Sequence, residues 1–152
     1  MLEQDKKLRE IAPKLSYNDL VYIAVRDTEL QEDHLIAKHN VKNFTTAEVR
    51  EKGVPQVVRE VRERLEDCNR IYISFDVNSM DPEIVSEGTG TPVAGGLTDT
   101  EAGQLISRLI QQGKVCWFEI CEINPVLDGR GNPMAQSAFG ILESAANKLS
   151  AY

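Results

Sequence analysis

The sequence predicts an α/β fold, a three-layer αβα arrangement around a mostly parallel sheet, from three observations. Short apolar runs rich in β-branched residues alternate along the chain with amphipathic helical segments. The helical segments open on recognisable start signals. Three of the apolar runs end in an acidic residue, and sheets of this class bind ligands beyond the carboxyl ends of their strands. With 152 residues and no internal repeat or low-complexity linker, residues 1–152 read as one domain.

The first strand is expected over Asp19 to Val25, buried on both faces and ending at Arg26-Asp27. A short helix over Leu30 to His39 and a brief strand over Val41 to Thr45 follow. Thr45-Thr46-Ala47-Glu48 has the form of a capping box, so a helix starts there. Gly53 interrupts it, and Pro55 opens the next helix, where its missing N–H costs nothing. Val57, Val58, Val61 and Leu65 recur at helical spacing and make one core-facing stripe. Arg70 to Asp76 is the third strand. Thr98-Asp99-Thr100-Glu101 is a second capping box, opening a helix that buries Ala102, Leu105, Ile106 and Leu109 and stops near Gly113. Val115 to Ile123 is the last strand, Asp128 to Pro133 is turn chemistry, and Met134 to Leu149 closes the chain as an Ala-rich helix.

Twenty-four acidic residues against 17 basic ones give a formal net charge of −7, which opposes nucleic acid and anionic membranes and favours small cations. No apolar run approaches the roughly 18 residues needed to span a bilayer, and Met1 to Lys7 has no apolar core behind its charges. A cytoplasmic protein is expected. Cys68, Cys116 and Cys121 lack C-x-x-C spacing and read as free, mostly buried thiols. His34 and His39 read as surface residues, Trp117 as core packing, and Glu119 as facing a charged neighbour on its strand.

Chemistry is expected in the long loop after Asp76, dominated by Gly, Pro, Ser, Thr and acidic residues. Asp27, Asp76 and Glu122 put carboxylates at one rim, where an unpaired charge is costly unless paired or metal-bound. Converging oxygens suit a cation such as Mn²⁺ or Mg²⁺. Hydrogen bonds from Asp76 and Asp81 to loop N–H groups are the alternative.

Ser74-Phe75-Asp76-Val77-Asn78-Ser79-Met80-Asp81-Pro82, followed by Gly88-Thr89-Gly90-Thr91-Pro92-Val93 and Gly95-Gly96-Leu97-Thr98, resembles the C-terminal signature of arginases and agmatinases. Glu119-Ile120-Cys121-Glu122-Ile123-Asn124-Pro125 resembles the last active-site strand of these ureohydrolases, and Arg26 to Glu32 resembles the arginase substrate segment. The similarity runs over nearly the whole chain, in the family's order.

The resemblance implies the C-terminal half of the arginase fold and a binuclear manganese site that hydrolyses L-arginine to ornithine and urea. Asp76 matches the aspartate that bridges both metals, and Asn78 stands where the family has a second metal-binding aspartate. Glu122 matches the glutamate that pairs with the substrate guanidinium. Asp27, Glu29 and Glu32 match the positions that hold the α-amino group, with Glu29 in place of an aspartate. Thr91 matches a pocket threonine. Agmatine lacks a carboxylate and the acidic segment is an arginase feature, so arginine is the expected substrate.

Two departures qualify this. Asn78 brings no negative charge and cannot chelate. The family's G-G-D-H-type turn, D-A-H-x-D-type strand end and catalytic histidine do not occur in this sequence. The expectation is therefore a fragment that is inactive alone and needs an N-terminal half or partner chain, in a family that forms homo-oligomers. A catalytically degenerate arginase-like protein with an assembly or regulatory role is the alternative.

Overall fold

The computed structural model describes residues 15–149; the charged opening Met1 to Lys7 lies outside them. A 3-10 turn, Tyr17–Asp19, leads into β1 (Val21–Ile23), α1 (Leu30–Lys38), β2 (Lys42–Phe44), α2 (Thr46–Lys52) and α3 (Val54–Arg64). Then come β3 (Ile71–Asp76), a second 3-10 turn (Val77–Ser79), α4 (Asp99–Ile110), β4 (Val115–Cys121) and α5 (Pro133–Leu149). The helices start where the sequence places them. Thr45 Oγ1 accepts from the Glu48 N–H at 3.2 Å while Glu48 Oε2 accepts from the Thr45 N–H at 3.0 Å. Thr98 and Glu101 repeat the exchange at 3.0 and 2.8 Å. Pro55 lies in the first turn of α3. No helix among the described residues is long and apolar enough to cross a membrane.

All strand pairing is parallel, but the described strands form two pairs, β1 with β2 and β3 with β4, rather than one continuous sheet. The second edges of β1 and β3 border one cavity of about 710 Å³, lined also by Val61 of α3, Leu65 just after it, and Leu105, Ile106 and Leu109 of α4. This corrects the expectation for β1. It has three residues, all half-buried, because no described strand pairs with its second edge and because Ala24 turns the chain into left-handed backbone at φ 59°.

Ile71, Ile73 and Phe75 of β3 pack with Phe118 and Ile120 of β4 into the core formed by Val57, Val58 and Val61 of α3, Leu105, Ile106 and Leu109 of α4, and Met134, Ala138 and Ile141 of α5. The opposite face of the same strands stays exposed among the described residues, at Tyr72, Ser74, Trp117 and Glu119. Trp117 lies on that face, 66% exposed beside Tyr72, and is not core packing. The register shifts between Ile71 and Tyr72, pairing Ile71 with Val115 but Tyr72 with Trp117. Cys116 is thereby an extra residue, and such a bulge resets which side chains face outward. It also exposes Cys116, which the sequence reads as buried. His34 is exposed as expected, whereas His39 is half-buried, its ring stacked 3.7 Å from that of Tyr17.

Replacing Thr98 by Ala should lower unfolding stability by about 1 kcal/mol, the usual worth of an N-cap, measured by urea denaturation. The hydrogen bond from Lys42, then that from the Thr45 N–H, holds the Glu48 carboxyl below its ordinary range. Its contribution is thus complete above the unfolded glutamate value of about 4.3 and is lost as pH falls through the depressed folded value. Glu48→Gln should flatten the acid side of the stability curve in that window.

Candidate active site

The loop between β3 and α4 is closed at its neck by backbone. Met80 and Leu97 form a parallel bridge, in which the Asp81 N–H donates to the Leu97 carbonyl at 2.8 Å and the Leu97 N–H to the Ser79 carbonyl at 2.9 Å. Asp81, 6% exposed, accepts from the Glu83 N–H at 3.0 Å through Oδ1 and from the Gly95 N–H at 3.1 Å through Oδ2. Gly96 makes this closure possible: a Cβ there would lie 2.5 Å from the Met80 carbonyl carbon and 2.6 Å from the Asp81 nitrogen. Farther out, the Ser86 hydroxyl donates to Asp128, and the Asn124 N–H donates to the Gly88 carbonyl at 2.9 Å. The loop is therefore also held to the segment following β4.

Four of the sequence-predicted residues, Asp27, Asp76, Asn78 and Thr91, line the cavity between β1 and β3 at its mouth. Asp76 ends β3 and accepts the Asn78 N–H through Oδ1 at 2.8 Å. The Asn78 amide is bonded at both ends, with Nδ2 donating to Thr91 Oγ1 at 2.9 Å and Oδ1 accepting from the hydroxyl of Thr89. Glu29 and Glu32 are exposed and do not line this cavity; Glu32 Oε2 accepts the Glu29 N–H at 2.9 Å and so starts α1. Glu122 also lies outside the cavity lining, exposed, one residue past the pairing of Asp76 with Cys121. Asp27 and Glu122 occupy left-handed backbone at φ 51° and 65°. For a non-glycine residue that conformation costs on the order of 1–2 kcal/mol and persists where surrounding contacts impose it.

Burial pushes the Cys121 thiol up; the Ser74 hydrogen bond opposes this, and the carboxylates of Asp76, Glu119 and Glu122 add to it. Cys121 is thus held as a thiol beneath an acidic rim. Glu119 faces two hydroxyls and not the charged neighbour expected. The hydrogen bond from Tyr72, then that from Ser74 at 2.7 Å, keeps its carboxyl below the ordinary range.

Sequence reasoning missed two residues here. Thr89, 2% exposed, fixes the Asn78 amide, and its only signal was a hydroxyl placed between two loop glycines. Arg26 reads in sequence as the end of a strand, yet its guanidinium bonds backbone carbonyls on both limbs of the loop.

Among the described residues, no three His, Cys, Asp or Glu side chains converge on a point that could hold a metal ion. Asp76 and Asn78 supply oxygens from positions two apart, and the Asn78 oxygen already accepts a hydroxyl. The donors of this chain therefore do not fit a metal centre by themselves.

The sequence pattern of the arginase family matches residues 7–147. The chain is 30% identical over 141 residues to the arginase of Bacillus subtilis (strain 168), covering 93% of this chain and 47% of that protein. It is 34% identical over 119 residues to arginase-1 of Bos taurus, covering 77% and 37%. The solved arginase of Helicobacter pylori matches it with a TM-score of 0.86 at 26% identity, over 98% of this chain and 51% of the other. The chain thus spans about half the length of the relatives it matches, a share that fits a C-terminal half, and its fold is that of arginases.

Gly96→Ala should destabilise the protein by about 2 kcal/mol or more, because the atoms in the way are backbone. Gly90, where a Cβ would meet nothing within 4 Å, is the control. Gly90→Ala should stay within about 0.5 kcal/mol of the parent in the same urea titration.

Proposed function

The chain belongs to the arginase family, and on that premise we propose that it forms the C-terminal portion of an arginase-type ureohydrolase that converts L-arginine to ornithine and urea. The observation that carries this reading is the rim. Parallel pairing sets Asp76 level with Cys121, one residue before Glu122, and Asp27, Asp76, Asn78 and Thr91 line one cavity. An acidic mouth on a chain of net charge −7 complements a guanidinium at one end of the substrate and an α-ammonium at the other.

In this reading the Glu122 carboxylate takes the guanidinium in a two-pronged contact that fixes the orientation of its carbon. Asp27, Glu29 and Glu32 hold the α-amino group, directly or through water, and Thr91 lines the pocket. Asp76 and Asn78 are this chain's share of a manganese centre. The further ligands, and the general acid or base, come from an N-terminal half or a partner chain. The unpaired edges of β1 and β3 support that requirement. They face one apolar cavity, and a strand entering it would find hydrogen-bonding backbone on both sides. Homo-oligomeric assembly and a cytoplasmic location complete the reading. One observation favours a second function, a catalytically degenerate subunit kept for assembly or regulation: the Asn78 amide is committed at both ends to threonine hydroxyls.

Combining the chain with the N-terminal portion of a related arginase should give an assembled complex that releases urea from arginine. Glu122→Gln in that complex should lower kcat/KM by roughly a hundredfold, the expected cost of losing one partner of a desolvated charge pair. An assembled complex that releases no urea would favour the degenerate subunit.

A further inference from the structure

Arg26 has no part in the substrate contacts above, yet its guanidinium reaches three separate stretches of backbone. Nη1 donates to the carbonyls of Ala24 at 3.1 Å and Ser79 at 3.0 Å. Nη2 donates to those of Asn78 at 2.8 Å, Met80 at 3.5 Å and Val93 at 2.6 Å. Residues 78–80 are the outgoing limb of the loop and Val93 belongs to the returning limb. Ala24 is the left-handed residue that ends β1, and Asp27 follows Arg26 directly. The planar cation thus joins the segment carrying Asp27 to both limbs of the loop carrying Asn78 and Thr91. The loop has other ties, the Met80–Leu97 bridge, the donation of Arg50 Nη2 to the Gly96 carbonyl at 2.9 Å, and the Ser86–Asp128 and Asn124–Gly88 hydrogen bonds. Those hold the loop to itself, to α2 and to the segment after β4, whereas Arg26 holds it to β1.

We propose that Arg26 is a positioning residue that fixes the spacing between the two walls of the cavity mouth, the Asp27 segment and the Asn78–Thr91 loop. The proposal rests on the ureohydrolase reading only for what the mouth binds; the coupling of the walls is a matter of geometry. A guanidinium suits the task because its donors lie in one rigid plane and can serve several carbonyls together. A lysine ammonium on a flexible stem carries the same charge but cannot span the same acceptors.

Amide hydrogen exchange on Arg26→Lys, Arg26→Gly and Arg50→Gln tests this without substrate or metal, so its outcome is separable from that of the urea assay. Arg26→Lys should speed exchange about tenfold or more at 24–29, 78–80 and 93–97, the scale of losing charge-assisted hydrogen bonds, with the amides of β3, β4 and α4 unchanged. Ethylguanidinium added to Arg26→Gly should restore protection in those segments, and ethylammonium should not. Arg50→Gln should loosen the Gly96 limb and leave 24–29 as in the parent. The proposal is overturned by parental exchange in Arg26→Lys, by a uniform rise or general unfolding in it, by equal rescue with ethylammonium, or by Arg50→Gln loosening 24–29 to the same degree.

Discussion

The parallel pairing of Ile71–Asp76 with Val115–Cys121 is the constraint from which the rest of the molecule follows. Its inner face carries Ile73, Phe75, Phe118 and Ile120 into the core and gives α3, α4 and α5 a surface to pack on. Its register sets Asp76 beside Cys121, and the next residue of each strand leaves the sheet. One chain enters the loop that bears Asn78 and Thr91, and the other turns at Glu122 in left-handed backbone. The loop then returns to the same place, because the Met80–Leu97 bridge delivers Thr98 to the start of α4. Slipping the pairing by one residue would turn Phe75 outward and carry Asp76 off the rim, so core and candidate site are fixed by the same hydrogen bonds.

Local chemistry explains what was legible in the sequence. The two threonine capping boxes, the proline in the first turn of α3 and the valine stripe of that helix depend on residues a few positions apart, and each is found where the sequence places it. The loop motif around Asp76 was equally readable, since Gly96 meets a close backbone approach that a Cβ would block and Asp81 holds the loop's N–H groups. For Asp81 the sequence offers the alternative of bonding loop N–H groups, and both of its oxygens do hold backbone N–H groups at the neck.

What escaped depends on long-range placement. Nothing in Val115 to Cys121 announces that Cys116 is a bulge, and that single residue puts Trp117 on the open face. The apolar run from Leu20 to Val25 contains no sign that Ala24 ends the strand or that the far edge of β1 borders a cavity. Arg26 is an ordinary charged residue until the loop, more than fifty positions away, folds over it. The exposed strand face and the division of the sheet share one physical cause: among the described residues nothing pairs with the second edges of β1 and β3 or covers Tyr72 and Trp117.

The candidate site has the same character. Its carboxylates add to the burial that pushes the Cys121 thiol up, but among the described residues they are not arranged as a complete cation site, and Asp76 is tied to the Asn78 N–H. On the proposed function, this chain holds one wall of an arginase site and the other wall must be added. The decisive measurement is manganese retained after desalting, by elemental analysis, on the chain alone and on the chain assembled with an arginase N-terminal portion. The expected result is substoichiometric metal on the chain alone and stoichiometric metal in the assembly, lost again with Asp76→Ala. Stoichiometric manganese on the chain alone would contradict it.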